Sequence, residues 1–531
     1  VTNRIWSSHF APDLGRHRLA RLFAVRGLAL VYLVAVVSWW SQAAILVGEE
    51  GLAPAGEFLD FLRERLGEAG RSPFLALPSL FWIIGASDAA LHLVCAAGVV
   101  LALLVLAGWL QGPSLIGLWV VYLSLVSTGG VFMSFQWDIL LLETGFLAIF
   151  LADWRLRSPF RDPPPLGISA RVALVGFWLL AAKLMFFSGW VKLAWAGQTH
   201  PEWWPELTAM TCHYMTQPIP TWTAWHMHHL PEGFHRFSLW PMYFVELVLP
   251  FAIVFGRYGR GLAATGFTGL MLLIIVTGNY TYFNWLTIVL CLPLVDDRLW
   301  PARLRRALSL GEEAGTLPSL SHRRLGLEIG LVAPPALVLL LLNLHIVLGD
   351  LHHAPNPLLS RKPTPGWLDG FRARFEPFRL ASGYGLFRTM TTTRPEIVLE
   401  GSRDGVTWFE YDFTWKAGDL GVRPGFVAPH QPRVAWQFWF AALEGRFDPR
   451  SRNSGWIERL VLKLLRGDGS IDPLLRRNPF PDSPPRFVRG RLYEYRFTTP
   501  DERRRTGDWW RRVAAGEYLP AVSLPPGDPA R

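Results

Sequence analysis

Long apolar runs constrain this chain more than any other feature. They are Leu28–Val47, Ala89–Leu106, Ser114–Val126, Ile139–Leu151, Val172–Leu193, Leu239–Phe255, Leu262–Val276, Leu286–Val295 and Leu327–Leu348. Runs of ~20 residues match the hydrocarbon thickness of a bilayer, where a backbone must satisfy its own hydrogen bonds and therefore coils into helices. Several are shorter, so some spans are expected to tilt, to lie inside the bundle or to re-enter. A soluble chain of 531 residues would spread its apolar residues in short periodic groups over several domains. Here the 51% hydrophobic residues come in blocks, and mean hydropathy is positive despite a net charge of +10. The expected fold class is a polytopic α-helical membrane bundle, residues 1–349, with a C-terminal extramembrane α+β domain, residues 350–531.

The arginines fall where membrane topology puts them, so the basic charge calls for no nucleic acid, and no zinc-finger, helix-turn-helix or RNA-binding signature occurs. Arg4, Arg16, Arg18 and Arg21 mark a cytoplasmic amino end. Glu49, Glu50, Glu57, Asp60, Glu64 and Glu68 outweigh Arg63, Arg65 and Arg71, which places that loop outside. Arg155, Arg157, Arg161 and Arg171 mark an inside loop, as do Arg257 and Arg260, and again Arg298, Arg303, Arg305, Arg306, Arg323 and Arg324. The loop Ala196–Ser238 carries only Arg236 and reads as outside. Nine crossings then leave the tail outside. The first run is too long for a secretory signal and lacks a small-residue cleavage pattern, so it reads as an uncleaved anchor. Cys95, Cys212 and Cys291 are scattered and imply neither a disulfide framework nor CxxC chemistry.

Past Gly349 the texture changes to a Pro-rich linker and then to alternating patterns. Glu396–Glu400 and Val406–Phe413 read as strands joined by a turn holding Asp404-Gly405, a strong hairpin signal. Phe487–Thr498 is a further strand, and Trp436–Leu443 and Ile457–Leu465 read as short helices.

Ionisable groups in the apolar blocks are functional hypotheses by default. Asp88 follows Ser87 at the start of a run, which suits helix capping, and His92 one turn on is placed to satisfy it. Glu143 (WDILLLETGF) and Glu246 (YFVELVLPF) sit in strongly apolar surroundings. Lys183 and Lys192 are two of only five lysines. They would make neutral pairs with the two glutamates, though spacing does not say which with which. At ~100° per residue the two lysines face opposite sides of one helix, so they take different partners. Lys192 has two readings: an interface lysine snorkelling beside an aromatic belt, or a desolvated amine usable as a base. The loop that follows holds Cys212, His213, His226, His228, His229 and His235, but no ligand set of fixed spacing closes, so no metal is assigned. Asn279-Tyr-Thr281 is a sequon in a loop too short and too near the bilayer for a glycan. No phosphate-binding loop, nucleophile elbow, HExxH or dinucleotide fingerprint appears, and no cofactor is implied.

The blocks FMSFQWDILLLETGFLAIF, LMFFSGWVKL, LTAMTCHYMTQPIPT, FHRFSLWPMYFVELVLPF and TGNYTYFN resemble the lipase maturation factor family. So do SGYGLFRTMTTTRPEIVLEGSRDGVTW, FVAPHQPRVAWQFWFAAL and NPFPDSPPRFVRGRLYEYRFT past the linker. The resemblance covers nearly the whole chain. It implies a multipass protein that assists folding of secreted lipases, in the endoplasmic reticulum membrane of animals, with the C-terminal domain in the lumen. The Arg-, Ala- and Pro-rich composition suggests a bacterial-type member in an inner membrane, the domain then facing the periplasm. FFSGWVKL and the tryptophan-rich loop after it are also similar to one span of vitamin K-dependent γ-carboxylases. That similarity implies Lys192 as a catalytic base; in an enzyme reading, His213 or the His226–His229 cluster would assist it.

Two function classes follow. The leading one is a non-enzymatic maturation factor, whose partners are membrane lipids and secreted clients such as lipases. Trp415, Trp436, Trp439 and His430 are then client-contact candidates, with Trp408 more suited to a core. The alternative is a membrane enzyme acting on a quinone, lipid or client side chain through Lys192. A transporter ranks last, because no internal repeat is visible.

Overall fold

The computed structural model describes residues 14–194, 201–309, 322–352 and 364–525. Most of the Pro-rich linker and the arginine at position 4 lie outside them. Helix α1 (Arg18–Val47) is followed by a short amphipathic α2 (Ala55–Glu68), then α3 (Asp88–Ala107), α4 (Gln111–Thr128), α5 (Gln136–Leu151) and α6 (Ile168–Ala194). Three short helices form the loop after α6: α7 (Ala209–Thr216), α8 (Trp222–His228) and α9 (Glu232–Tyr243). The last of these runs through a π-turn, Phe244–Val248, into Leu249–Ala252. Helices α10 (Gly256–Thr277), α11 (Phe283–Cys291) and α12 (His322–His352) complete the bundle. Among the described residues, α1, α3, α6, α10 and the Gly326–Leu351 part of α12 are long and apolar enough to cross a membrane. Helices α4, α5 and α11 and the α9 continuation are shorter and pack among them.

Polar contacts show which helix ends share a level. On one side, Gln217 Nε2 donates to Thr277 O at 2.9 Å, and Glu49 N donates to Asp88 Oδ1 at 3.0 Å. On the other, Arg26 Nη2 donates to Ser158 O at 2.9 Å, Arg18 N to Asp297 Oδ2 at 2.9 Å, and Ile168 N to Glu328 Oε2 at 3.2 Å. The C-terminal domain sits on the first side. The arginines Arg155, Arg157, Arg161 and Arg298 lie on the second.

That domain begins with α13 (Gly366–Phe375). It continues through β1 (Pro395–Ser402), β2 (Phe409–Glu410), β3 (Asp412–Phe413), α14 (Arg433–Ala442), α15 (Ser454–Arg466), β4 (Leu475–Arg477), β5 (Phe487–Phe497), α16 (Pro500–Thr506) and β6 (Trp510–Val522). The main sheet has the order β2-β1-β5-β6 and is antiparallel throughout, with Pro395 opposite Glu494 and Phe497 opposite Trp510. The expected hairpin turn is present, but its second arm is shorter than Val406–Phe413: only Phe409–Glu410 pairs with β1, and Asp412–Phe413 pairs with β4 in a separate two-stranded sheet. Asp404 accepts from Val406 N (2.8 Å) and Thr407 N (2.7 Å), which holds its carboxyl well below the usual carboxylate range, and Gly405 takes the positive φ of +76° that the turn requires. Helix α15 buries Trp456, Ile457, Leu460, Val461, Leu464 and Leu465, the stripe expected of a helix lying on a sheet.

No gap separates the two parts of the chain. Apolar core residues of the bundle, such as Trp137 and Tyr280, are continuous with Trp436 and Phe438 of the C-terminal domain.

Candidate functional site

The residues that join bundle and domain form a buried polar seam. At its centre the first turn of α14 meets α1, the turn Gly130–Met133 and the start of α5 through Arg433. Arg433 Nη2 donates to Asp138 Oδ1 at 2.9 Å and Nη1 to Asp138 Oδ2 at 3.0 Å, and Nη1 also bonds Phe132 O. Both side chains are 0% exposed, so neither charge is shared with water. Asp138 Oδ1 also accepts from Tyr122 OH (2.6 Å) and Tyr282 OH (2.5 Å). Burial penalises the guanidinium charge, but the facing carboxylate outweighs it and raises the Arg433 pKa above its ordinary value. Around this pair, Gln431 N donates to Ser38 Oγ (2.9 Å), Arg433 N to Gln42 Oε1 (3.0 Å), and Trp137 Nε1 to Gln431 Oε1 (2.9 Å).

A second cluster lies mid-way along α6. Lys183 Nζ donates to Glu143 Oε1 at 2.6 Å and to Asn343 Oδ1 of α12 at 2.7 Å. Glu143 Oε2 accepts from Tyr384 OH (2.6 Å) and Ser382 N (3.3 Å), so a loop of the C-terminal domain reaches down to this pair. Higher on α6, Lys192 Nζ donates to both Glu246 oxygens, at 2.7 and 2.6 Å, and faces the Trp203 ring 5.3 Å away. The π-turn carries Glu246 toward Lys192. Gly189 opposite has no room for a Cβ, which would stand 2.9 Å from the Glu246 Cβ. Each lysine therefore has its own glutamate, Lys183 with Glu143 and Lys192 with Glu246.

The outer loop is tied to the domain just as closely. The carboxamide of Asn279, 2% exposed, accepts from Val427 N (2.8 Å) and Ala428 N (3.1 Å) and donates to Gly425 O (2.8 Å) and Ile219 O (3.2 Å). Buried Arg394 donates to Met215 O, Gln217 O and Pro218 O of the loop and to Glu396, which Lys416 also meets.

The remaining sequence candidates fall in three places. The Asp88 carboxylate accepts from Glu49 N and Asp88 N donates to the Glu49 carboxylate, Ser87 supplies the helix cap, and His92 accepts from Trp40 Nε1 at 2.6 Å. Asp88 and His92 are thus satisfied by other groups. His213 packs edge-on to Phe387 with ring centroids 4.9 Å apart; burial, then the nearby Lys192 charge, pushes its pKa down to about 4. Among the described residues, no group of three or more His, Cys, Asp or Glu is placed to hold a metal. Of the client-contact candidates, Trp436 is 5% exposed and packs edge-on against Trp137 in the core. Trp439 donates to Thr216 O at 3.0 Å, and His430 Nδ1 meets Ser38 Oγ at 2.9 Å, so both line the seam. Trp415, at 39%, is exposed, and Trp408 lies under the Arg489 guanidinium.

Sequence reasoning passed over Asp138, Arg433, Arg394 and the clamping role of Asn279. The signal was present for the first two: each is a charge embedded in an aromatic-rich block, FQWDILLL and PHQPRVAWQF.

Fold and seam define a class: a polytopic α-helical membrane protein with an α+β domain seated on one face. Two family models match, the lipase maturation factor transmembrane domain over residues 19–302 and the lipase maturation factor C-terminal domain over residues 380–520. The chain belongs to the lipase maturation factor family. Relatives include lipase maturation factor 2 of Rattus norvegicus, 35% identical over 96% of this chain and 84% of its own length. Another is lipase maturation factor 2 of Homo sapiens, 35% identical over 96% and 83%. Lipase maturation factor 1 of Bos taurus is 33% identical over 96% and 90%. No solved structure matches the chain.

Proposed function

We propose that the chain is a membrane-anchored maturation factor for secreted proteins, lipases among them, and that it performs no chemistry of its own. The observation that carries this reading is the extent of the match: relatives named for lipase maturation align over 96% of the chain, bundle and domain together. The seam supports it, because a domain locked to its anchor presents a fixed surface to clients that leave the membrane face unfinished. Trp222, Trp415 and Phe426 stand partly exposed beside one another at the junction of loop and domain, and they are the client contacts we favour.

The arginine-rich helix ends lie away from the domain, which supports a cytoplasmic far side and a lumenal or periplasmic domain. The animal relatives favour an endoplasmic reticulum membrane; the composition is what speaks for a bacterial one. We read Lys192 as a structural anchor: its ammonium is buried and held by both oxygens of Glu246.

The test supplies cells lacking their own maturation factor with the wild type, a truncation after Leu348, Lys192→Ala, or Lys192→Ala with Glu246→Ala. Membrane levels are matched and the activity per mass of secreted lipase is measured. The truncation is expected to abolish activity, and the double variant to recover part of what Lys192→Ala loses, because it leaves no unpaired buried carboxylate. A double variant as inactive as the single one, both inserted normally, would make Lys192 a chemical group and overturn the reading.

A further inference from the structure

Helix α12 stands apart from the rest of the bundle. Leu331, Leu337 and Leu340 are each more than half exposed, and among the described residues the polar contacts of α12 with α6 include Glu328 with Ile168 N (3.2 Å), Asn343 with Lys183 (2.7 Å), and Asp350 O with Trp190 Nε1 (3.4 Å). Each pair has the same sequence offset, so the two helices run parallel and in register. Between the first two points the walls include Ala173 and Gly176 on α6 and Pro335 and Ala336 on α12, beside larger apolar residues such as Val172, Leu179 and Leu339. Pro334 and Pro335 remove two amide donors from α12 at this level. Leu147 and Phe150 of α5 form the back wall.

The helices therefore border an open-sided cleft of about 630 Å³ with almost wholly apolar walls, whose few polar groups are Lys183, Glu143 and Asn343 at one end and Arg171 at the other. It follows α6 from Ile168 to Lys183, a rise of ~22 Å at ~1.5 Å per residue. That is longer than the ~15 Å half-thickness of a ~30 Å hydrocarbon core. Water does not fill such a space, since an ordered water needs polar partners that the middle of the cleft lacks. Lipid chains are the fluid in which these helices stand, and an extended chain has the shape of the cleft.

We propose that this cleft binds one bilayer lipid, its hydrocarbon chain lying along α6 and its polar end at Arg171. The chain fills the space between α6 and α12 beneath the Lys183–Glu143 pair. Because Tyr384 bonds that same glutamate, the lipid also braces the seat of the C-terminal domain.

Full-length protein, purified in mild detergent and washed, is analysed by native mass spectrometry, and the retained lipid is released and identified. One lipid per chain is expected, a phospholipid or a neutral glyceride being told apart by mass. Ala336→Trp, which places an indole in the cleft, is expected to lower retention roughly tenfold, because an already filled space admits no chain. Leu337→Trp, on the exposed face of the same helix, is expected to leave it unchanged. Equal retention by the two variants overturns the proposal. As a check independent of variant folding, wild-type protein in phosphatidylcholine vesicles doped with a diazirine-tailed phosphatidylcholine is irradiated and its cross-linked peptides mapped. Cross-links concentrated in residues 172–180 and 332–347 support the site. An even spread over exposed stripes such as Leu272, Leu273, Leu93 and Val100 overturns it.

Discussion

Replacing Arg433 with methionine keeps the apolar stem of the side chain and removes the guanidinium. Asp138 is then left with the Tyr122 and Tyr282 hydroxyls at 2.6 and 2.5 Å and no counter-charge, in a place where it is 0% exposed. Breaking a buried ion pair from one side costs ~3–5 kcal/mol, because the remaining charge stays desolvated. At ~1.4 kcal/mol per decade, that lowers the ratio of seated to unseated domain roughly a hundred- to several-thousand-fold. The readout is amide hydrogen exchange of α14 in lipid nanodiscs, where protection follows the local opening free energy. Arg433→Met should lose two to three decades of protection across Arg433–Ala442 while the α15 amides change little. Adding Asp138→Asn removes the stranded charge and should restore at least half of the loss, the coupling expected of contacting residues. Protection within tenfold of wild type in the single variant, or strictly additive losses in the double one, would refute the claim that this pair seats the domain.

Two further outcomes follow from the seam. Asn279→Ala strands two amides and two carbonyls that the carboxamide now satisfies, so a loss of at least ~2 kcal/mol is expected as a lower thermal midpoint in nanodiscs; endoglycosidase treatment should leave this position unchanged, since the side chain is buried. His213 is held neutral, its pKa pushed from an ordinary 6.5 down to about 4, so the unfolded chain binds its proton first as pH falls. Its contribution to stability is complete above pH ~6.5 and is lost toward pH ~4, with a slope of at most ~1.4 kcal/mol per pH unit. His213→Gln should flatten the difference curve between pH 7 and 5, and an unchanged curve would show that the ring is not desolvated.

The apolar blocks were readable without a fold because a bilayer imposes its thickness on any helix that crosses it. The Asp404-Gly405 hairpin, α14, α15 and β5 were readable because local turn chemistry and periodicity define them. Likewise Lys183 and Lys192 were placed on opposite sides of one helix by angular spacing alone. What the sequence could not supply was pairing at a distance. Asp138 and Arg433 are 295 positions apart, as is plain from their bond, and nothing local marks them as partners. Trp436 and Trp439 read as exposed recognition residues, yet the domain turns them into the seam, because the face that carries them packs on the bundle. Asn279 read as a sequon to be set aside, and the approach of the Gly425–Ala428 segment made it a clamp. Composition and periodicity thus determined that the chain enters a membrane and carries an α+β domain. Only the tertiary structure decided that anchor and domain share one core, since a buried charge costs too much to stand alone and its partner is chosen by packing.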